Sequence, residues 1–272
     1  MNDTLIIVPT YNNEGTLENV LTRCLEQGLP VLVVDDGSTD GTKDILEGMR
    51  SRVRPGMRKE VPGMREETPG MREETSGKKE ETPGMRVITH SENQGKGRAL
   101  KTGFLDARRL GFQYAVTIDS DGQHFPEDIP LLLAEKGKRT LVVGSRSRMG
   151  ADGGGSFANN FSNFWFHLYT GIRLPDTQTG FRLYPLNELP SLKLLSARYE
   201  AELTLLVFSA WKGLKLKPVP VRVSYPEDRV SHFRPGADFL RISLLNTLLL
   251  FVAVFYGRPR LLFSRIFSKF VD

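Results

Sequence analysis

The sequence predicts an α/β fold: a doubly wound, Rossmann-like, mainly parallel sheet with helices on both faces. Three observations lead there. Short apolar strand signals alternate with helix-length segments from residue 5 to residue 145. The strand signals are continuous runs of Val, Ile and Leu, the pattern of strands covered on both faces. The chain has 272 residues, 39% hydrophobic and 25% charged. That suits one domain with a sizeable core and excludes a wholly disordered chain or a polytopic membrane protein.

Residues 5–8 form the first strand signal, stopped at Pro9, and 16–27 an amphipathic helix closed by Gly28. Residues 31–34 are the second strand and 40–49 the second helix. A strand at 86–89, a helix at 97–110 ended by Gly111, a strand at 114–118, a helix at 127–135 and a strand at 140–143 follow. Crossovers between parallel strands are right-handed, and ligands of such sheets sit beyond the C-terminal strand ends. Those ends are polar here, as in Pro9-Thr10-Tyr11-Asn12-Asn13, Asp35-Asp36-Gly37-Ser38, Asp119-Ser120-Asp121 and Gly144-Ser145-Arg146.

Residues 53–86 interrupt the pattern with a seven-residue repeat: Pro-Gly at 55, 62, 69 and 83, and Ser-Gly at 76. Pro-Gly stops helices, so the period is not that of a coiled coil. Eight basic and seven acidic residues make the segment nearly neutral and strongly hydrated, a turn-rich insertion in a tolerant loop. A single cysteine, Cys24, excludes an intramolecular disulfide and a multi-cysteine zinc site. It fits a reducing, cytosolic setting. The N-terminus carries no secretory signal pattern.

Asp119 and Asp121, at i and i+2 after an apolar strand, are the residue types that hold a hard divalent cation in an oxygen-rich, partly hydrated site. Mg²⁺ or Mn²⁺ there would bridge a diphosphate and neutralise charge on a leaving nucleotide. Gln123 and His124 extend the polar cluster. Asp36, at a strand terminus, is placed to accept from a base N–H or a ribose hydroxyl, while Ser38, Thr39 or Asp40 can cap the next helix. Lys96 sits in a Gly-bounded loop opening a helix, where it can approach phosphate.

The ordered set Pro9-Thr10-Tyr11-Asn12-Asn13, Val33-Val34-Asp35-Asp36-Gly37-Ser38-Thr39-Asp40-Gly41-Thr42, Asn93-x-Gly-Lys-Gly and Asp119-x-Asp121-x-Gln123-His124 resembles the family-two inverting glycosyltransferases of GT-A fold. Gly144-Ser145-Arg146, Asp176-Thr-Gln-Thr-Gly180-Phe181-Arg182, Tyr199-Glu200-Ala-Glu202 and Ser231-His232-Phe233 make it most similar to the polyprenyl-phosphate sugar transferases, the dolichyl-phosphate mannose synthase-like group. The resemblance covers roughly 1–235, apart from the insertion. It implies a nucleotide-sugar donor held by Pro9, Tyr11, Glu14, Asp36, Lys96 and Asp119, and a metal, Mg²⁺ or Mn²⁺, on Asp119, Asp121 and Gln123. The family's opening motif has Glu after Tyr-Asn; here Asn13 takes that place and Glu14 follows.

The implied acceptor, a polyprenyl phosphate, is already anionic and needs no general base, so catalysis becomes positioning and charge balance. Asp121, Arg146, Arg182 and Glu202 are the expected catalytic group, with Arg146, Arg182 and Arg229 as candidates to hold the acceptor phosphate. Glu200 and Glu202 can equally be helix-start residues. A same-fold enzyme using a saccharide hydroxyl in cell-surface polymer synthesis is the alternative, and a non-catalytic nucleotide-sugar sensor the rival from another class.

Two features concern the membrane. Phe157, Phe161, Phe164, Trp165, Leu168 and Tyr169 fall on one face of a helix within an uncharged stretch, 153–172, where relatives carry basic residues. Such a stripe reads as core, or as an interfacial helix. Residues 242–257 are uncharged but shorter than a span, and 258–272 alternate Arg or Lys with Leu and Phe as an in-plane amphipathic segment does. Residues 236–272 are thus expected to be a helical tail on an anionic membrane surface rather than on nucleic acid, peripheral or monotopic at the cytoplasmic face. A buried helix or a homo-oligomer contact is the alternative for the tail.

Overall fold

The computed structural model describes residues 3–52, 84–146, 157–192, 200–224 and 249–257. In chain order the elements are β1 (Thr4–Thr10), α1 (Leu17–Leu25), β2 (Val31–Asp35), α2 (Thr42–Arg52), β3 (Met85–Thr89), α3 (Lys96–Arg109) and β4 (Tyr114–Thr117). There follow α4 (Ile129–Leu133), β5 (Thr140–Arg146), α5 (Phe157–Thr170), β6 (Arg182–Pro185), α6 (Glu200–Trp211) and β7 (Lys215–Val221).

The seven strands lie in the order β3-β2-β1-β4-β6-β5-β7. All pairings are parallel except those of β6, which is antiparallel to both β4 and β5. Alternate residues of each strand feed two cores. Leu5, Ile7, Leu32 and Val34 pack with Leu100, Phe104, Phe166, Leu206 and Trp211 from α3, α5 and α6. Ile6, Val8, Val31 and Val33 pack with Val20, Leu21, Leu46 and Leu132 from α1, α2 and α4. Both faces are therefore covered over the central strands, which is why β1 and β2 are buried throughout and carry no polar alternation.

Several boundaries differ from the sequence reading. β3 begins at Met85, whose side chain is buried, and Val31 N–H donates to Gly84 O at 3.0 Å. The end of the last repeat unit is thus part of the sheet. The expected helix at 127–135 contracts to α4 because Pro126 and Pro130 divide it into a 3₁₀ turn, Pro126–Asp128, and a short α segment.

The rest of the repeat, 53–83, lies outside the described residues. It joins the end of α2 to the start of β3, at the pole of the sheet opposite the C-terminal strand ends. A protein lacking residues 55–82, closed by a short Gly-Ser linker, is expected to retain in a radiolabel assay the sugar-transfer activity that the resemblance implies. A folded but inert deletion protein would overturn this.

Among the described residues no helix is long and apolar enough to cross a membrane. Residues 249–257 are helical, ending in a π turn at Ala253–Gly257. Leu249 and Ala253 join the core, whereas Phe251, Val254 and Phe255 are exposed. The expected amphipathic segment at 258–272 lies outside the described residues.

Candidate active site

The register places the acid-bearing loops on one rim. Thr10 pairs with Asp35 and Asp35 with Thr89, while β4 pairs Thr117 with Ile7, so Asp119, two residues past the end of β4, emerges beside the ends of β1 and β2. Ser120 ties this loop to the first: Asn13 Nδ2 donates to Ser120 Oγ at 2.9 Å, Ser120 Oγ donates to Pro9 O at 3.2 Å, and Thr16 Oγ1 donates to Ser120 O at 2.6 Å.

Asp119 is the centre of the arrangement. Lys96 Nζ, from the first residue of α3, lies 2.7 Å from Asp119 Oδ1 and 2.8 Å from Glu202 Oε2 in the first turn of α6. Glu202 Oε1 is buried and has no hydrogen-bond partner among the described residues. Burial alone would lower the lysine's pKa, but Asp119 and Glu202 outweigh it and lift it above an ordinary lysine. Burial likewise pushes Asp119 up, and Lys96 more than reverses this, leaving the carboxyl below its usual range.

The backbone of Gly180 presses against Asp119. A Cβ at position 180 would lie 2.4 Å from Asp119 Oδ2 and 2.6 Å from Oδ1, and Gly180 O accepts from Thr117 Oγ1 at 2.7 Å. Gly180→Ala is therefore expected to displace the Asp119 carboxylate and to lower transfer by about a hundredfold, while circular dichroism stays native. Activity within a factor of about two would show that the close approach is not needed.

Arg182 departs from the sequence reading. It is completely buried: its guanidinium donates to Glu202 O at 2.9 Å, Thr177 O at 2.9 Å and Tyr184 Oη at 3.3 Å. Burial alone would lower its pKa, but its neighbours Tyr184 and Glu202 raise it above an ordinary arginine. It cannot clamp an acceptor phosphate in this arrangement; it props the Asp176–Gly180 loop and the start of α6. Arg146 is 29% exposed at its side chain, but its Nε and Nη2 donate to Asp176 at 2.6 and 3.1 Å. Arg229 lies outside the described residues, as does the side chain of Glu200.

Two donor-side assignments are also redirected. Asp36 is buried and spends both oxygens within the chain: Oδ1 lies 2.7 Å from His90 Nδ1 and accepts from Gln94 N–H, and Oδ2 accepts from Gly95 N–H at 2.7 Å. It fixes the loop whose next residue is Lys96. Gly37 (φ +74°) lets that loop close in, since a Cβ there would lie 2.4 Å from the Glu92 carbonyl carbon. Glu14 is exposed, with Oε2 accepting from Gly41 N–H at 2.7 Å; its carboxylate braces the turn before α2. Tyr11 lies half-buried at the end of β1.

Asp121 Oδ1 and Oδ2 accept from Gln123 N–H and Nε2 at 3.0 and 2.7 Å. His124 is buried against Phe181, its ring centroids 5.3 Å apart, with Nδ1 lacking a partner and its pKa lowered by burial. Among the described residues no three His, Cys, Asp or Glu side chains form a closed metal cage. Mg²⁺ and Mn²⁺ need none: one or two carboxylates suffice when water and phosphate oxygens complete the shell. Asp119 and Asp121, with the carbonyl of Gln123 and the spare oxygen of Glu202, supply hard donors of that kind, so the residues fit a divalent cation.

The aromatic stripe on α5 is divided: Tyr169 joins the core and Trp165 packs against it, whereas Phe161 and Phe164 are 37% and 61% exposed. The polar side of the helix instead meets the loop beside the site: Asn163 Nδ2 donates to Pro175 O at 2.8 Å and Asn163 Oδ1 accepts from Thr177 N–H at 3.0 Å.

A mostly parallel sheet of this order, with carboxylates and a lysine gathered at one rim, is the architecture of GT-A glycosyltransferases. The chain superposes on glucosyl-3-phosphoglycerate synthase from Mycobacterium tuberculosis, solved with Mn²⁺ and UDP, with TM-score 0.59 at 18% identity, over 92% of this chain and 78% of that one. It belongs to glycosyl transferase family 2, whose profile matches residues 5–60 and 65–184, and is a glycosyltransferase. It is 29% identical to UDP-N-acetylglucosamine–dolichyl-phosphate N-acetylglucosaminyltransferase of Methanococcus voltae, over 82% of this chain and 86% of the relative. It is 27% identical to undecaprenyl-phosphate mannosyltransferase of Micrococcus luteus, over 80% and 82%. With dolichyl-phosphate beta-glucosyltransferase of Drosophila melanogaster it shares 28% identity, over 87% and 71%.

Proposed function

We propose that this glycosyltransferase moves a hexose from a UDP- or GDP-sugar to a polyprenyl phosphate, with inversion, at a membrane surface. The observation that carries the acceptor is the state of the acids. Lys96 holds both Asp119 and Glu202, and Asp121 is bonded to Gln123. A carboxylate paired with a buried ammonium is a poor base, which suits a nucleophile that arrives without a proton to lose. The relatives named above, each acting on a polyprenyl phosphate by name, support the same acceptor.

In this reading an acceptor phosphate oxygen attacks the anomeric carbon as the bond from that carbon to the nucleoside diphosphate breaks on the opposite face, so the configuration inverts. Asp119, Asp121 and Gln123 would hold a divalent cation, whose charge would neutralise the departing diphosphate. Tyr11 and the Pro9 carbonyl region border the donor, Asp36 holds the loop that presents Lys96, and Arg146, shared with Asp176, faces the acceptor task without Arg182. The exposed Phe161 and Phe164, with Phe251, Val254 and Phe255, would lie in the lipid boundary, a peripheral or monotopic attachment on the cytoplasmic side.

The test is a donor screen with labelled UDP- and GDP-sugars, polyprenyl phosphate, membranes and Mn²⁺, with Asp121→Ala as control. An acid-labile, organic-extractable product absent from the control is expected. A soluble glycan would favour the hydroxyl-acceptor enzyme, and activity surviving Asp121→Ala would remove the metal assignment.

A further inference from the structure

We propose that Lys96 is an internal counter-ion, holding the cation-binding acids in a neutralised state until the nucleotide brings the metal in. The proposal rests on the metal-assisted reading above and concerns only the order of loading.

The geometry is specific. One ammonium touches two carboxylates from distant parts of the chain, Asp119 after β4 and Glu202 in α6, so the two acidic oxygens are no farther apart than those two contacts laid end to end. Side-chain exposure is 17% for Lys96 and 8% for Glu202. Two polar atoms without a partner among the described residues mark unfilled coordinating capacity here: Glu202 Oε1, on the bridged carboxylate, and His124 Nδ1, on a ring buried near Asp119. Arg182, bonded to the Glu202 carbonyl, adds a second positive charge behind the pair.

A bare dication entering this cluster meets carboxylates already satisfied by Lys96 and is repelled by the lysine itself, strongly so where water is scarce. A nucleoside diphosphate changes the balance. Its oxygens give the ammonium a new anionic partner, so Lys96 can swing from Asp119 to the phosphates while the carboxylate turns to the cation. Position 96 favours that exchange, because Lys96 opens α3, a helix N-terminus favours an anion, and Asp36 fixes the preceding backbone through Gln94 and Gly95. Metal and nucleotide then bind with positive coupling, and Lys96 carries part of it.

The experiment is a titration of Mn²⁺, read as loss of the free-ion electron paramagnetic resonance signal, with and without UDP or GDP. Wild-type protein is expected to bind Mn²⁺ poorly alone and well with nucleotide. Lys96→Met is expected to bind bare Mn²⁺ at least about tenfold more tightly than wild type and to lose most of the gain from nucleotide. Lys96→Arg, which keeps the charge, should bind bare Mn²⁺ as poorly as wild type. If Lys96→Met fails to fold by circular dichroism, Lys96→Gln, a neutral donor toward the same acids, replaces it with the same expectation. A folded neutral variant that binds bare Mn²⁺ no better than wild type overturns the counter-ion role. Wild type that binds no Mn²⁺ even with UDP or GDP would instead overturn the metal-assisted reading.

Discussion

Asp119→Asn is expected to fold normally and to lose sugar transfer by about a thousandfold, close to 4 kcal/mol of transition-state stabilisation. The substitution keeps the size of a side chain that is 25% exposed and touches Lys96 at 2.7 Å. It removes the negative charge that Lys96 neutralises and that a cation would need. Lys96 is left with Glu202 alone, and an amide is a far weaker ligand for Mg²⁺ or Mn²⁺ than a carboxylate. Initial rates with labelled donor and native circular dichroism decide it. A folded Asp119→Asn protein with more than about a tenth of wild-type rate would remove Asp119 from the centre of the site.

Arg182→Met is expected to act first on stability, by about 3 kcal/mol or more. Methionine keeps the apolar stem but strips charged donors from the carbonyls of Thr177 and Glu202 and from Tyr184, all buried. At roughly 2–4 °C per kcal/mol for a domain of this size, the melting midpoint should fall by about 6–12 °C. Lys in its place should recover little, since a single ammonium cannot reproduce the forked guanidinium contacts. A melt unchanged by Arg182→Met, with transfer selectively lost, would instead return Arg182 to the acceptor phosphate.

The sheet was legible because burial on both faces leaves an unbroken apolar signature in residues 5–8, 31–34 and 141–143, each inside an observed strand. The rim acids were legible because parallel topology fixes which strand ends meet. What stayed hidden depends on contacts between distant residues. Nothing local to Lys96 names Glu202 as its second partner, and nothing local to Arg182 separates a buried prop from an exposed clamp, since both are an arginine after a Thr-Gly-Phe turn. Asp36 carried an acid's signal, but its engagement by His90 lies 54 residues on. Periodicity found the aromatic stripe of α5 without its orientation, because Phe and Trp suit a core and a lipid boundary alike. Asn13, Gly180, Asp176 and His90 carried no assigned role; the first three lie inside quoted motifs, and the close approach of Gly180 to Asp119 required coordinates.

The antiparallel placement of β6 has a mechanical meaning. Strands β3, β2, β1 and β4 come from the first 117 residues, and β6, β5 and β7 from the remainder; the two halves meet along a seam of four residue pairs between β4 and β6. Asp119 and Lys96 stand on one side of that seam, Gly180, Arg182 and Glu202 on the other. The two halves share both apolar cores, so the join is held by packing on either face of the sheet, and a substrate seated at the rim would bridge it at its polar end.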